Sequence, residues 1–257
     1  MGLLKTDGVN DYVLFDGASA ALQAVPTGAS TVLTVIRRVN TSAVWNGLVT
    51  LETSAAAYKE TLEINSANVL TLDSATPGGN FVGSATTGIT DSTDYHLIAA
   101  SHISAGATTL VNKNITSGAA VARETSGAIA NGATLGAGGL VRLGMWQASD
   151  PSAVWMAVTA VWDKALTNAQ IDECWANKRT SDIWNCSAGR PLFLTELNTL
   201  TPTDLGGNAT FNQVNGPILD AAETAAGWTF DGLGVAVGMA YDISCFPKSI
   251  MRTGGRI

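Results

Sequence analysis

Charge is scarce in this sequence. Only 14% of its residues are charged and the formal net charge is −7, with no run of Lys and Arg anywhere. Lys248, Arg252 and Arg256 near the end are too few to form the basic footprint that a polyanion requires, so nucleic acid is not the expected partner. Long apolar runs are missing as well. No segment approaches the roughly 18 uninterrupted apolar residues of a membrane helix, which argues against membrane insertion. The opening residues MGLLKTDGVNDY lack the basic and then apolar regions of a secretory signal. Gly2 and Thr6 fit a myristoylation pattern, but Leu3 and Leu4 lead directly into a strand-like segment that accounts for them. Cysteine is limited to Cys174, Cys186 and Cys245, without a Cys-x-x-Cys or a nearby His pair. Neither a zinc site nor a disulfide scaffold is expected, and the three read as small buried hydrophobes.

What is present is a chain of short side chains punctuated by Gly, Asn and Asp, long enough at 257 residues to bury a sizeable core. Short strand candidates lie at 11–16, 31–39, 47–53, 58–64, 68–73, 95–101, 108–114, 140–146 and 153–162. Strands at this spacing, bounded by turn residues, predict an antiparallel sandwich or barrel. In YKETLEI (58–64), alternation places Leu62 and Ile64 on one face, as in a half-exposed strand. The run AVWMAVTAVW (153–162) is apolar on both faces, which predicts a central strand covered by something. The cover is a single short helix near 168–179. Thr167 is its N-cap, Gln170 completes a capping-box variant, and Ile171, Cys174 and Trp175 form one apolar stripe. From residue 187 to 257 the periodicity is lost, so the chain divides into a domain at 1–186 and a loop-rich extension. That extension either adds strands to the sandwich or serves as an assembly arm along a neighbouring subunit.

LKTDGVNDYVLFD near the start and VWDKALTNAQI near residue 165 resemble the concanavalin A-like lectin/glucanase superfamily, in particular LamG-type domains of the kind found in bacteriophage virion proteins. YHLIAASHISAGATTLVNKNI is similar to that family's paired strands, with Lys113 in place of a usual hairpin glycine. The resemblance covers roughly residues 3–180. It implies an all-β, two-sheet antiparallel jelly-roll sandwich with a short closing helix. It does not imply an activity, because the superfamily includes lectins, hydrolases and structural modules.

Retaining glucanases of that superfamily carry Glu-x-Asp-x-Glu on one strand, so that the carboxylates flank a glycosidic bond. The sequence lacks this motif, and Glu60 and Glu63 are three apart, which sends them to opposite strand faces. No nucleophile elbow or phosphate loop is present, so the chain is expected not to be an enzyme. His96 and His102 share a face if their strand is uninterrupted, but no third metal ligand accompanies them. Asp7, Asn10 and Asp11 form an oxygen-rich turn; calcium is the cation it could take, and no other cofactor is implied. The competing reading is that these side chains simply build the turn through backbone hydrogen bonds. Trp45 and Trp146 lie beside turns and are the candidates for stacking on a sugar face, whereas Trp155, Trp162 and Trp175 fit a core.

The expectation is a non-enzymatic structural virion protein, a capsid decoration or minor tail protein on the exterior of the particle. Its partners would be other virion subunits, homo-oligomer contacts and cell-surface glycans. The alternative is a free carbohydrate-binding module or adhesin, with an atypical glycan hydrolase behind it.

Overall fold

A computed structural model describes residues 2–41, 45–55, 57–74, 80–84, 86–146, 150–225 and 227–231. The side chains of residues 58, 80, 81, 84, 146, 150, 151 and 213–215 are not described. The chain begins with β1 (Leu3–Lys5), β2 (Tyr12–Asp16), the helix α1 (Ala20–Ala24) and a 3-10 turn at Val25–Thr27. Seven strands follow: β3 (Ser30–Arg38), β4 (Asn46–Glu52), β5 (Tyr58–Ile64), β6 (Leu70–Ser74), β7 (Asn80–Ser84), β8 (His96–His102) and β9 (Ala107–Asn114). Next come β10 (Ala122–Ala128), β11 (Leu140–Leu143), β12 (Met145–Trp146), β13 (Asp150–Pro151) and β14 (Val154–Trp162). The described chain closes with α2 (Asn168–Glu173), α3 (Thr180–Asn185), β15 (Phe193–Glu196), β16 (Thr210–Asn215) and β17 (Ile218–Asp220).

Two antiparallel sheets pack face to face. One runs β10-β9-β8-β3-β14-β1-β17, with β15 sharing the edge of β14 beside β1; the other runs β16-β2-β11-β4-β5-β6-β7. This is the all-β two-sheet sandwich that the sequence predicts. The core between the sheets holds Phe15, Ile36, Leu51, Leu62, Leu72 and Val141, among others. A second apolar layer covers the outer face of the first sheet. There Trp155, Trp162 and Leu194 pack with Ile171 and Cys174 around α2, and with Ile183 of α3.

β14 explains both layers. All nine of its residues are buried. Val154, Met156 and Val161 face the inter-sheet core, whereas Trp155, Ala157, Val158, Ala160 and Trp162 face the helical layer. A bulge between Met156 and Val158 puts two successive residues on the outer side and so reverses the alternation midway. The predicted cover over this strand is present and its capping box is formed, with Thr167 accepting from Gln170 N and Gln170 reaching back to the cap amide. The single helix predicted near 168–179 is, however, two. α2 stops at Glu173, and the chain turns through Lys178 at φ 53° before α3 begins.

Two further corrections concern burial and a strand end, and the C-terminal segment resolves an open alternative. β5 is not half-exposed: Glu60 through Ile64 are all buried. Its polar face lies under the β12–β13 hairpin, where the Thr50 hydroxyl donates to Met145 O at 3.1 Å and that of Thr61 to Thr50 at 3.3 Å. β11 ends at Leu143, and Gly144 at φ 82° redirects the strand predicted through 146. Of the two readings of the segment after 186, added strands is the one that its described residues show. β15 pairs with β14, β16 with β2 and β17 with β1, so residues 193–220 add strands to the sandwich. Asp204 secures this return by accepting from the amides of Leu194, Gly206, Asn208 and Ala209. Residues 232–257, the remainder of the predicted assembly arm, lie outside the described residues.

Polar groups close the two ends of the inter-sheet core. At one end Ser30 of β3 donates to Glu60 of β5 across the sheets, and His102 meets Thr108 and Asn131. At the other, Arg38 is held by Asn68 and Ile89 O, and His96 by Asn112 and Asp91. The two histidines share a face as predicted. Both of their ring nitrogens are engaged in structural hydrogen bonds. Among the described residues no helix is long and apolar enough to cross a membrane.

Candidate functional site

The end of the sandwich that carries the first loop gathers the residues singled out from sequence. β1 runs out at Lys5, and Thr6 is pinned to the start of the neighbouring β14: its amide donates to Val154 O at 2.9 Å and its hydroxyl to Ser152 O. The turn that follows is built by its own carboxylates. Asp7 Oδ1 accepts from Val9 N at 2.7 Å and Asn10 N at 3.4 Å, and Asp11 Oδ2 accepts from Asp7 N at 2.9 Å. The Val9 amide is the first cause holding the Asp7 carboxyl below its ordinary value. Burial pushes Asp11 the other way. Gly216, at φ 78°, lies so close that a Cβ there would overlap Asp11 Oδ1. Lys5, Thr6, Asp7, Asp11, Gly216 and Ile218 line a cleft of about 200 Å³.

Ser152 joins this turn to the loop that bears Trp45. Its amide donates to Gly144 O and its hydroxyl to Gly47 O at 2.6 Å, while Gly144 N donates to Leu48 O. Trp45, immediately before β4, is 37% exposed. Trp146 belongs to β12, also at this end, but its side chain lies outside the described residues. Asp7, Asn10, Asp11 and Trp45 therefore lie on the rim at one end of the sandwich, the end that also carries β12. By contrast, Trp155 and Trp162 are buried and Trp175 packs against the outer core, as predicted.

Sequence reasoning missed two other turns of the rim. Asp91 accepts from Thr93 N and Asp94 N and also meets His96 Nε2 at 3.1 Å. Asn65 accepts from Ala67 N and Val69 N, with Asn68 at φ 62°. The signals were available in DSTD (91–94) and NSAN (65–68), each an Asx side chain two residues before the amide it binds.

Asp7 and Asp11 each commit one carboxylate oxygen to backbone amides, the arrangement that builds a turn, and each keeps a second oxygen. Among the described residues no group of three or more His, Cys, Asp or Glu is placed to hold a metal ion. Three carboxylates of the second sheet are buried inside the fold. Glu60 lies between the sheets with Ser30, and Glu63 alternates to the opposite face, as predicted. Glu52 is fully buried against Arg142 at 2.7 Å, and burial raises its pKa despite the guanidinium.

No family model matches the sequence, and no curated protein matches it. Among solved structures it is similar to a heptameric SAP-like pentraxin from Limulus polyphemus, with 14% identity over 67% of this chain and 79% of that one, at a TM-score of 0.45. A carbohydrate-binding module of a Ruminococcus gnavus sialidase, determined with α2,3-sialyllactose, shows 12% identity over 68% of this chain and 98% of the module, at a TM-score of 0.46. The full-length tailspike protein 2 of an Escherichia coli O157:H7 bacteriophage shows 14% identity over 68% of this chain, at a TM-score of 0.49; the chain spans only 24% of the tailspike.

Proposed function

We propose that this chain is a non-enzymatic sandwich that contacts glycans through its first-loop rim and is displayed on the exterior of a virion as a decoration or minor tail component. The observation that carries the reading is Trp45, 37% exposed at the end of the sandwich that also carries the Asp7–Asp11 turn. The absence of a Glu-x-Asp-x-Glu motif and the structural use of Glu52 and Glu60 support a binding role over hydrolysis. Val9, Ile218 and Leu219 are exposed apolar residues at the same end, where a neighbouring subunit would cover them. Asp7, Asn10 and Asp11 are the residues a calcium ion would use there.

The test is a glycan array followed by calorimetry on the leading sugar, with calcium and with chelator, for the wild type and Trp45→Ala. The expected result is binding that weakens by at least about tenfold in the variant, the equivalent of about 1.4 kcal/mol, with an unchanged melting temperature. Turnover of any glycan on the array would overturn the non-enzymatic reading. A variant that melts far below the wild type would make Trp45 a packing residue instead.

A further inference from the structure

The two described cysteines stand at equivalent places in the helical layer. Cys174 is the C-cap of α2 and Cys186 the C-cap of α3, and both are buried in the same apolar cluster. Their chain neighbours tie the two helix ends together. The Glu173 carboxylate accepts from Ser187 N at 2.5 Å and from the Ser187 hydroxyl at 2.9 Å. The Cys174 thiol donates to Gln170 O at 3.3 Å and the Cys186 thiol lies 3.9 Å from Gly189 O, so each sulfur is held at its own helix end. A cleft of about 270 Å³, lined in part by Glu173, Asn177, Ser181 and Asn185, reaches Cys186 but not Cys174.

We infer that Cys174 and Cys186 form an oxidisable dithiol, with peroxide as the oxidant, whose disulfide staples the ends of α2 and α3. Cys186 is the attacking sulfur because the cleft opens onto it. The neighbouring Cys174 side chain and then the Ala188 amide hold its pKa below the ordinary cysteine value, while the Cys186 side chain and burial push that of Cys174 up. The Cys186 thiolate attacks one peroxide oxygen; an S–O bond forms, the O–O bond breaks and hydroxide leaves. Cys174 sulfur then attacks the resulting sulfenic acid, giving up its proton as the S–O bond breaks and water departs. Two thiols lose two electrons in total, and one peroxide becomes two waters. The sequence predicts these cysteines only as inert apolar filling; their pairing is visible only in the fold.

The experiment treats the full chain with hydrogen peroxide, unfolds and alkylates it, and maps the peptides without reduction. Cleavage after aromatic residues separates a peptide ending at Trp175, one beginning at Asn185, and a third between Tyr241 and Phe246 that holds Cys245. The expected product joins the first two, is lighter by two hydrogens, and reverts with dithiothreitol, while Cys245 is recovered alkylated. Cys174→Ser should instead accumulate a sulfenic acid at Cys186 that a dimedone probe captures. Recovery of Cys174 and Cys186 both alkylated after peroxide treatment would overturn the proposal, and so would a cross-link of either to Cys245.

Discussion

The carboxyl of Glu60 should make the protein lose stability as pH rises through neutrality. It is 2% exposed, and its only described partner is the Ser30 hydroxyl, 2.9 and 3.1 Å from its two oxygens. Burial, only partly offset by that hydroxyl, lifts its pKa from 4.5 to about 7. Between those values the folded chain keeps a proton that the unfolded chain releases, so stability falls with rising pH across this window and levels off above it. At about 1.4 kcal/mol per pKa unit, the full effect is about 3 kcal/mol. Glu60→Gln keeps the shape and the bond to Ser30 while removing the titration. Urea melts of both proteins from about pH 4 to about pH 9 should therefore show the variant gaining on the wild type by up to about 3 kcal/mol. Burial depresses the pKa of His102, which costs stability as pH falls through its unfolded value. That contribution is common to both proteins and cancels in the difference. Parallel curves, or a wild type that gains on the variant as pH rises, would refute the reasoning.

The sequence carried the strands whose apolar residues alternate or run unbroken. β5 begins and ends at the predicted residues, and β3, β4, β8 and β9 lie within one residue of prediction. It did not carry β10, whose ARETSGA is largely exposed and polar and is held as a strand only by its pairing with β9. Nor did it carry β15, β16 and β17, which are short and set by partners more than 30 residues away in the chain. Helix α1 was missed for a similar reason: five residues with one buried leucine leave no periodicity to read. The rim was half legible. Asp7, Asn10, Asp11 and Trp45 were chosen as residue types beside turns, but their placement at one end depends on Ser152, which accepts from Thr6 and donates to Gly47 O, each more than 100 residues away in the chain.

The remaining predictions concern that rim and the C-terminal strands. Gly216→Ala should destabilise the chain by about 2 kcal/mol or more, because a left-handed alanine is strained and its Cβ overlaps the Asp11 carboxylate. Thermal melts of this variant alongside Asp11→Ala would check the cause: a double variant no worse than Gly216→Ala alone locates the cost at that contact. Truncation after Trp184 should abolish folding. It removes β15, β16 and β17 together with buried Phe193, Leu194, Leu197, Ala225 and Trp228. At about 1.5 to 3 kcal/mol for each large buried side chain, the loss is on the order of 10 kcal/mol, comparable to the entire stability of an ordinary domain. A chain ending at Asp231 keeps all of these groups and should melt cooperatively, as near-ultraviolet circular dichroism would report. If the chain ending at Trp184 melted at the wild-type temperature, residues 193–231 would be ornament on a complete sandwich, and the domain boundary would return to 186.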